Sequence, residues 1–248
     1  MKPSALTPIL TLRDHTFLPS SLGKESTVVD LGANLGDFSR GIVELFHCRC
    51  IAVEPNPVLF EQARAVPGVE AVWAAVSDRE GTVELTLSDN PEASTILANR
   101  APQGANGSRV QVPAITLESL LGQLNVTHVD LLKVDIEGAE ISMLLSAPEA
   151  VLRSIDQITL EFHDFCGLVT PAQVSAVLSR LDALGFGSVQ FNRWNNTDWL
   201  FARRDAAALT PLRRAYLEHL ARIRWVKRKF ARLSWRLRTR RLTGSTGR

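Results

Sequence analysis

Thr27-Val28-Val29-Asp30-Leu31-Gly32-Ala33-Asn34-Leu35-Gly36 is the stretch that decides the fold. Its β-branched opening suits a buried strand. Small residues then turn the chain into Asp37–Phe46, where the apolar residues at 38, 42, 45 and 46 fall at helical spacing. Strand, glycine turn and helix form the first unit of a nucleotide-binding α/β sheet. Gly32 allows a sharp turn and close approach to a ligand, and Gly36 lets the helix sit tightly against that turn. Asp30 is expected at the carboxyl end of the strand, beside the crevice where such sheets bind ligands.

The spacing narrows the ligand. A dinucleotide fingerprint needs Gly-x-Gly-x-x-Gly, and position 34 is Asn. A phosphate loop needs a closing Gly-Lys-Ser/Thr, which the sequence lacks. The next apolar strand, Cys50–Val53, ends on Glu54, roughly 20 residues past the turn, where a carboxylate accepts from ribose hydroxyls. Asp30 and Glu54 together suit a ligand carrying an amino-acid cation and an adenosine ribose, which is S-adenosylmethionine. The competing reading is an ordinary βαβ unit whose glycines serve packing alone.

Two further stretches, Glu54-Pro55-Asn56-Pro57 and Asp130-Leu131-Leu132-Lys133-Val134-Asp135-Ile136-Glu137-Gly138-Ala139-Glu140, carry a resemblance. With the opening stretch, they resemble the FkbM family of S-adenosylmethionine-dependent methyltransferases over about residues 26–165. The run from Lys133 to Glu140 is the most specific. The resemblance implies a class I methyltransferase fold: a Rossmann-like α/β sheet of seven strands, ending in a hairpin whose last strand runs antiparallel. It implies cofactor contacts at Asp30, Gly32, Ala33, Asn34, Gly36, Glu54, Pro55 and Asp135, with Ala75, Val76 and Ser77 beside the adenine. It also implies a hydroxyl-bearing acceptor such as a sugar or glycan. Ser94-Thr95-Ile96-Leu97 resembles a serine-containing segment of the family, within a long polar loop from Ser88 to Ser108.

The rest of the chain fits that frame. Val69–Val76 reads as the third strand. Gly81–Leu87 and Arg109–Ile115 read as an inserted hairpin, the former alternating apolar and polar. His128–Asp135 and Gln157–His163 read as central strands, with a helix from Glu137 to Leu145 between them. A helix opens at Pro171, and strands at Gly187–Phe191 and Thr197–Ala202 close the sheet. The domains expected are an irregular leader over 1–25, the methyltransferase domain over 26–205 and a helical tail over 206–248.

Candidates for proton removal sit where the central strands end: Asp135, Glu137, Glu161 and His163. His163 is the natural base by its ordinary pKa near 6.5. Asp135 is read as binding substrate or the cofactor amine, and Glu137 alternatively as an acid favoured at a helix N-terminus. No metal is expected, since nothing in the spacing demands one.

Composition sets the remaining bounds. The 248 residues are 45% hydrophobic, without an apolar run near 18 residues and without a secretory pattern at the N-terminus. Cys48 and Cys50 lack a second pair at zinc spacing, so they and Cys166 read as reduced thiols of a cytoplasmic protein. The formal charge of +2 hides an asymmetry. Residues 212–241 carry twelve Lys or Arg against one acid, Glu218, and the first 211 residues carry a net −10. Apolar residues recur at 212, 216, 220, 223, 226, 230, 233 and 237, an amphipathic helical stripe. That tail suits an anionic membrane surface at the inner face, nucleic acid, or simple packing on its own domain or a twin subunit. The alternatives to sugar O-methylation are therefore an RNA methyltransferase or a non-catalytic adaptor on the same scaffold.

Overall fold

The computed structural model describes residues 9–87, 109–164, 169–192, 196–205 and 209–223. Its centre is a seven-stranded sheet of β3 (Thr27–Leu31), β4 (Arg49–Val53), β5 (Val69–Val72), β9 (Leu131–Val134), β10 (Gln157–Leu160), β11 (Phe186–Gln190) and β12 (Trp199–Arg203), in the order β11-β12-β10-β9-β3-β4-β5. Neighbours from β10 through β5 pair in parallel, and β12 runs antiparallel to both β10 and β11. The expected seven strands and antiparallel last strand are present. The strand order reverses between β3 and β9, and ligands of such sheets bind at that reversal.

Successive strand residues face opposite layers. Val28 and Leu131 join Phe38, Ile42 and Phe46 of α1 (Asp37–Phe46) in one core. Val29, Leu31, Leu132 and Val134 join the other, with α3 (Leu117–Gln123), α4 (Glu140–Ser146), α5 (Glu149–Arg153) and α6 (Pro171–Ala183). α2 (Pro57–Arg64) follows β4, its start capped by Asn56, which accepts from the Val58 amide.

Three elements depart from the sequence reading. The third strand is broken: β5 stops at Val72, and β6 (Ala75–Val76) leaves for a separate sheet. There it pairs in parallel with β8 (Arg109–Ile115), which pairs antiparallel with β7 (Gly81–Thr86). The helix expected from Glu137 starts at Glu140, because Glu137 (φ 51°) and Gly138 (φ 101°) are left-handed. The N-terminal segment holds a hairpin of β1 (Leu10–Leu12) and β2 (His15–Phe17). It is fastened to the sheet: the Thr16 amide and hydroxyl donate to Asp198 at 3.0 and 2.7 Å, and the Leu18 amide donates to Gln157 at 2.8 Å. Cys48 and Cys50 are buried free thiols, and burial pushes the Cys48 pKa up to about 11. Cys166, the Ser94–Leu97 segment with its loop, and the tail beyond residue 223 lie outside the described residues.

Gly32 and Gly36 are both left-handed, at φ 76° and 77°. A Cβ on Gly32 would stand 1.8 Å from the carbonyl oxygen of Asp135, and one on Gly36 2.9 Å from Val66. The turn thus packs on the chain end that carries the other half of the site. Gly32→Ala is expected to destabilise the protein by at least about 2 kcal/mol, from the left-handed φ plus the clash. Gly122→Ala, at an exposed position of α3 with nothing within 4 Å of the added methyl, should be neutral or stabilising by up to about 1 kcal/mol. Denaturant melts of the two variants check this contrast.

Candidate active site

The glycine turn is held by its own carboxylate neighbour. The Gly32 and Ala33 amides donate to the Val53 carbonyl at 2.9 and 3.1 Å, which locks the turn to the end of β4. Asn34, left-handed at φ 53°, donates its amide to Glu54 Oε2 at 2.8 Å, and the Asn56 amide donates to Oε1 at 2.9 Å. Glu54 is only 5% exposed, and burial raises its pKa against the lowering effect of the two amides.

Beneath the turn lies a buried ammonium. Lys133 Nζ donates to the Gly32 carbonyl at 2.6 Å and stands 3.1 Å from Asp30 Oδ1 and 3.6 Å from Asp135 Oδ2. Burial works against its charge, but Asp30, Asp135 and Glu54 outweigh it and raise the pKa. Asp30 also accepts from the Ser39 hydroxyl at 2.7 Å and is fully buried. This corrects the expectation for Asp30. It sits under the turn as the partner of Lys133, not in the wall of the crevice.

Beyond β9 and β10, carboxylates and imidazoles crowd together. His15 Nε2, from the N-terminal hairpin, is 3.5 Å from Asp135 Oδ2, with Nδ1 3.5 Å from the Thr159 hydroxyl. His163 Nε2 lies 3.6 Å from Asp135 Oδ1 and 3.3 Å from Glu137 Oε2, while Nδ1 bonds Glu140. Burial disfavours the His163 charge, but Glu140, Glu137 and Asp135 together push its pKa up to about 10. These acids favour the charged imidazolium at His163, which weighs against its expected role as the base. Burial raises the Asp135 pKa, yet Lys133, His15 and His163 more than reverse this and hold it ionised, well below the usual range. Glu137 and Glu161 go the other way. Burial and neighbouring carboxylates push them up to about 7 and about 8. By geometry, His15, Asp135 and Glu161 could hold a cation, as could Asp135, Glu137 and His163, their ligand atoms lying within 4.8 Å of one another. The positive charges of Lys133 and His163 already occupy part of that environment.

A cleft, about 590 Å³ with its open mouth included, lies where these parts meet. Gly32, Asn34, Glu54, Pro55, Ala75, Val76, Asp135 and Glu137 line it, together with the apolar Val53, Leu59, Ala74, Leu85 and Ile136. Most of the expected contact residues therefore converge. Ala33, Gly36 and Ser77 do not line it. Ala33 is buried, Gly36 packs on α2, and Ser77 bonds the Ile115 carbonyl and Asp78. Carboxylates on one wall and aliphatic side chains on the other suit a ligand with a cationic amine, hydroxyls and a flat base, so the residues present fit S-adenosylmethionine.

Lys133, Glu140 and His15 were not singled out by the sequence reading as functional. Lys133 and Glu140 lie inside the specific run, and a lysine in an otherwise apolar strand was the available signal. Nothing local marks His15, whose polar side-chain partners, Asp135 and Thr159, lie more than a hundred residues away.

Several known proteins are similar. The AMB antimetabolite synthetase AmbE of Pseudomonas aeruginosa is 28% identical over 86% of this chain, which spans only 12% of AmbE. Methyltransferase sdnD of Sordaria araneosa is 26% identical, over 66% of this chain and 76% of its own length. The hexuronic acid methyltransferase AglP of Haloferax volcanii is 24% identical, over 64% and 67%. Among solved structures, the human methyltransferase 10 domain containing protein superposes with a TM-score of 0.44 at 11% identity, covering 73% of this chain and 72% of its own. The family model described as the methyltransferase FkbM domain matches residues 30–187, more than half of the chain and every residue that lines the cleft. The chain belongs to the FkbM family of S-adenosylmethionine-dependent methyltransferases, and S-adenosylmethionine is its cofactor.

Proposed function

We propose that this methyltransferase modifies a hydroxyl of a sugar or glycan, and that Glu137 takes the hydroxyl proton. The observation that carries the reading is the pair of carboxylates, Asp135 and Glu137, in the cleft lining, with Glu161 outside the lining but within 4.8 Å of Asp135. Carboxylates accept hydrogen bonds from the vicinal hydroxyls of a sugar. They repel phosphates, which weighs against an RNA acceptor. The name of AglP, a hexuronic acid methyltransferase, supports the same class of acceptor.

The cofactor supplies an electrophilic methyl group. The protein's own part is to bind, orient and remove a proton. Glu54 faces the cleft already fixed by two backbone amides, so its carboxylate is preorganised to accept from ribose hydroxyls. Ala74, Ala75, Val76 and Leu59 offer an apolar wall for the adenine. Asp135, held ionised, is the charge available to a cationic amine. Glu137 lines the cleft with its pKa near 7, where a general base balances availability against strength. His163 stays charged beside it and holds the carboxylate in place.

Incubating the protein with methyl-labelled cofactor and a panel of uronic-acid-containing oligosaccharides, RNA and small amines tests the assignment. Label on sugar hydroxyls supports it, and label confined to RNA or amines overturns it. Glu137 acts when ionised, so kcat/KM is expected to rise with pH through about 7. Glu137→Gln should lower kcat by about 10²-fold or more and abolish that rise, while cofactor affinity stays within a few-fold. Asp135→Asn should weaken cofactor binding about tenfold or more by calorimetry, the loss of a charged hydrogen-bond acceptor.

A further inference from the structure

The described part of the tail, residues 211–223, is a helix, α7, with a packed and an exposed apolar side. Leu217 and Ala221 are buried and, with Leu209, pack on Ile9, Leu18, Val189 and Leu200. Arg213 reaches the Ser20 hydroxyl at 3.0 Å. This face fastens the helix to its own domain. Leu212, Tyr216 and Ile223 are 82%, 50% and 38% exposed. At about 100° per residue they fall within roughly 40° of one another, and more than about 90° from Leu217 and Ala221. Leu220 lies between the two groups and packs partly on the same core, so the exposed stripe of Leu212, Tyr216 and Ile223 borders the packing face and is not covered by it. The exposed stripe is the one whose spacing continues in the sequence at Val226, Phe230, Leu233 and Leu237.

We propose that this exposed side is a docking surface for an anionic lipid bilayer, on which the protein lies peripherally. Charge selects the partner. Residues 224–241 contain nine Lys or Arg and no acid, whereas the first 211 residues carry a net −10. An exposed stripe of Leu212, Tyr216 and Ile223, followed in the sequence by nine cations, suits a surface that offers an apolar boundary beneath anionic headgroups. A second copy of the same helix would set like charges against each other. A nucleic acid would engage the cations through phosphates and leave the stripe in water. No helix among the described residues is long and apolar enough to cross a membrane, so the contact is interfacial.

The test uses the full chain and sedimentation with vesicles of phosphatidylcholine alone or doped with phosphatidylglycerol. A triple variant, Leu212→Glu, Tyr216→Glu and Ile223→Glu, removes the stripe and leaves the Leu217–Ala221 face untouched. An unchanged melting temperature and cofactor affinity certify its fold, and a second variant with Ser at the same three positions serves if the glutamates disturb it. The full chain should bind doped vesicles, spare neutral ones, and lose at least about tenfold in affinity when the stripe is removed. Three outcomes overturn the proposal: no binding to doped vesicles, equal binding by the folded variant, or tighter binding to RNA than to vesicles with no dependence on the three positions.

Discussion

The site depends on one buried ammonium. Lys133 and Asp30 are register neighbours on β9 and β3, the strands at which the sheet order reverses. Lys133 neutralises Asp30, bonds the carbonyl of Gly32 and faces Asp135. An uncompensated charge at such depth costs about 3–5 kcal/mol. The pairing therefore couples the two halves of the cleft electrostatically, just as the contact of Gly32 with the Asp135 carbonyl couples them sterically. Neither the glycine turn nor the acidic loop keeps its shape alone.

From that pairing follows the division of labour among the acids. Asp135 has the Lys133 ammonium and the His163 ring within reach, with the His15 ring 3.5 Å away, and stays ionised. Glu137 and Glu161 share the same enclosure, and desolvation with mutual repulsion lifts both toward neutrality. Carboxylates a few ångströms apart thus acquire unlike protonation behaviour from position alone. The histidine follows the same logic in reverse. Buried with Glu140 on one nitrogen and two acids on the other, it keeps its proton.

What could be read from the sequence was what local chemistry encodes. The β-branched run, the two left-handed glycines and the carboxylate after the second strand all lie between Thr27 and Glu54. Cofactor class and sheet order follow from them and from the family resemblance. What escaped was set by distant contacts. The side of β3 that Asp30 faces is decided by a lysine about a hundred positions later. The charge of His163 is decided by Glu140, which reads as an ordinary helix residue. Trp73 and Ala74 carry no breaker signal, so nothing marked the point where the chain leaves the main sheet for β6. Glu137 promotes helix by composition, but Gly138 beside it permits the left-handed bend that turns its carboxylate toward the cleft.

The clasp between Thr16 and Asp198 has a temporal meaning. The two residues are 182 positions apart, and Thr16 adjoins the histidine that faces Asp135. During synthesis the central strands emerge and can associate while the aspartate that seats this hairpin has yet to be made. Maturation of the reaction centre thus waits for the segment that closes the sheet at Asp198. A ribosome-tethered or truncated chain can own the Rossmann scaffold and still lack a finished catalytic chamber.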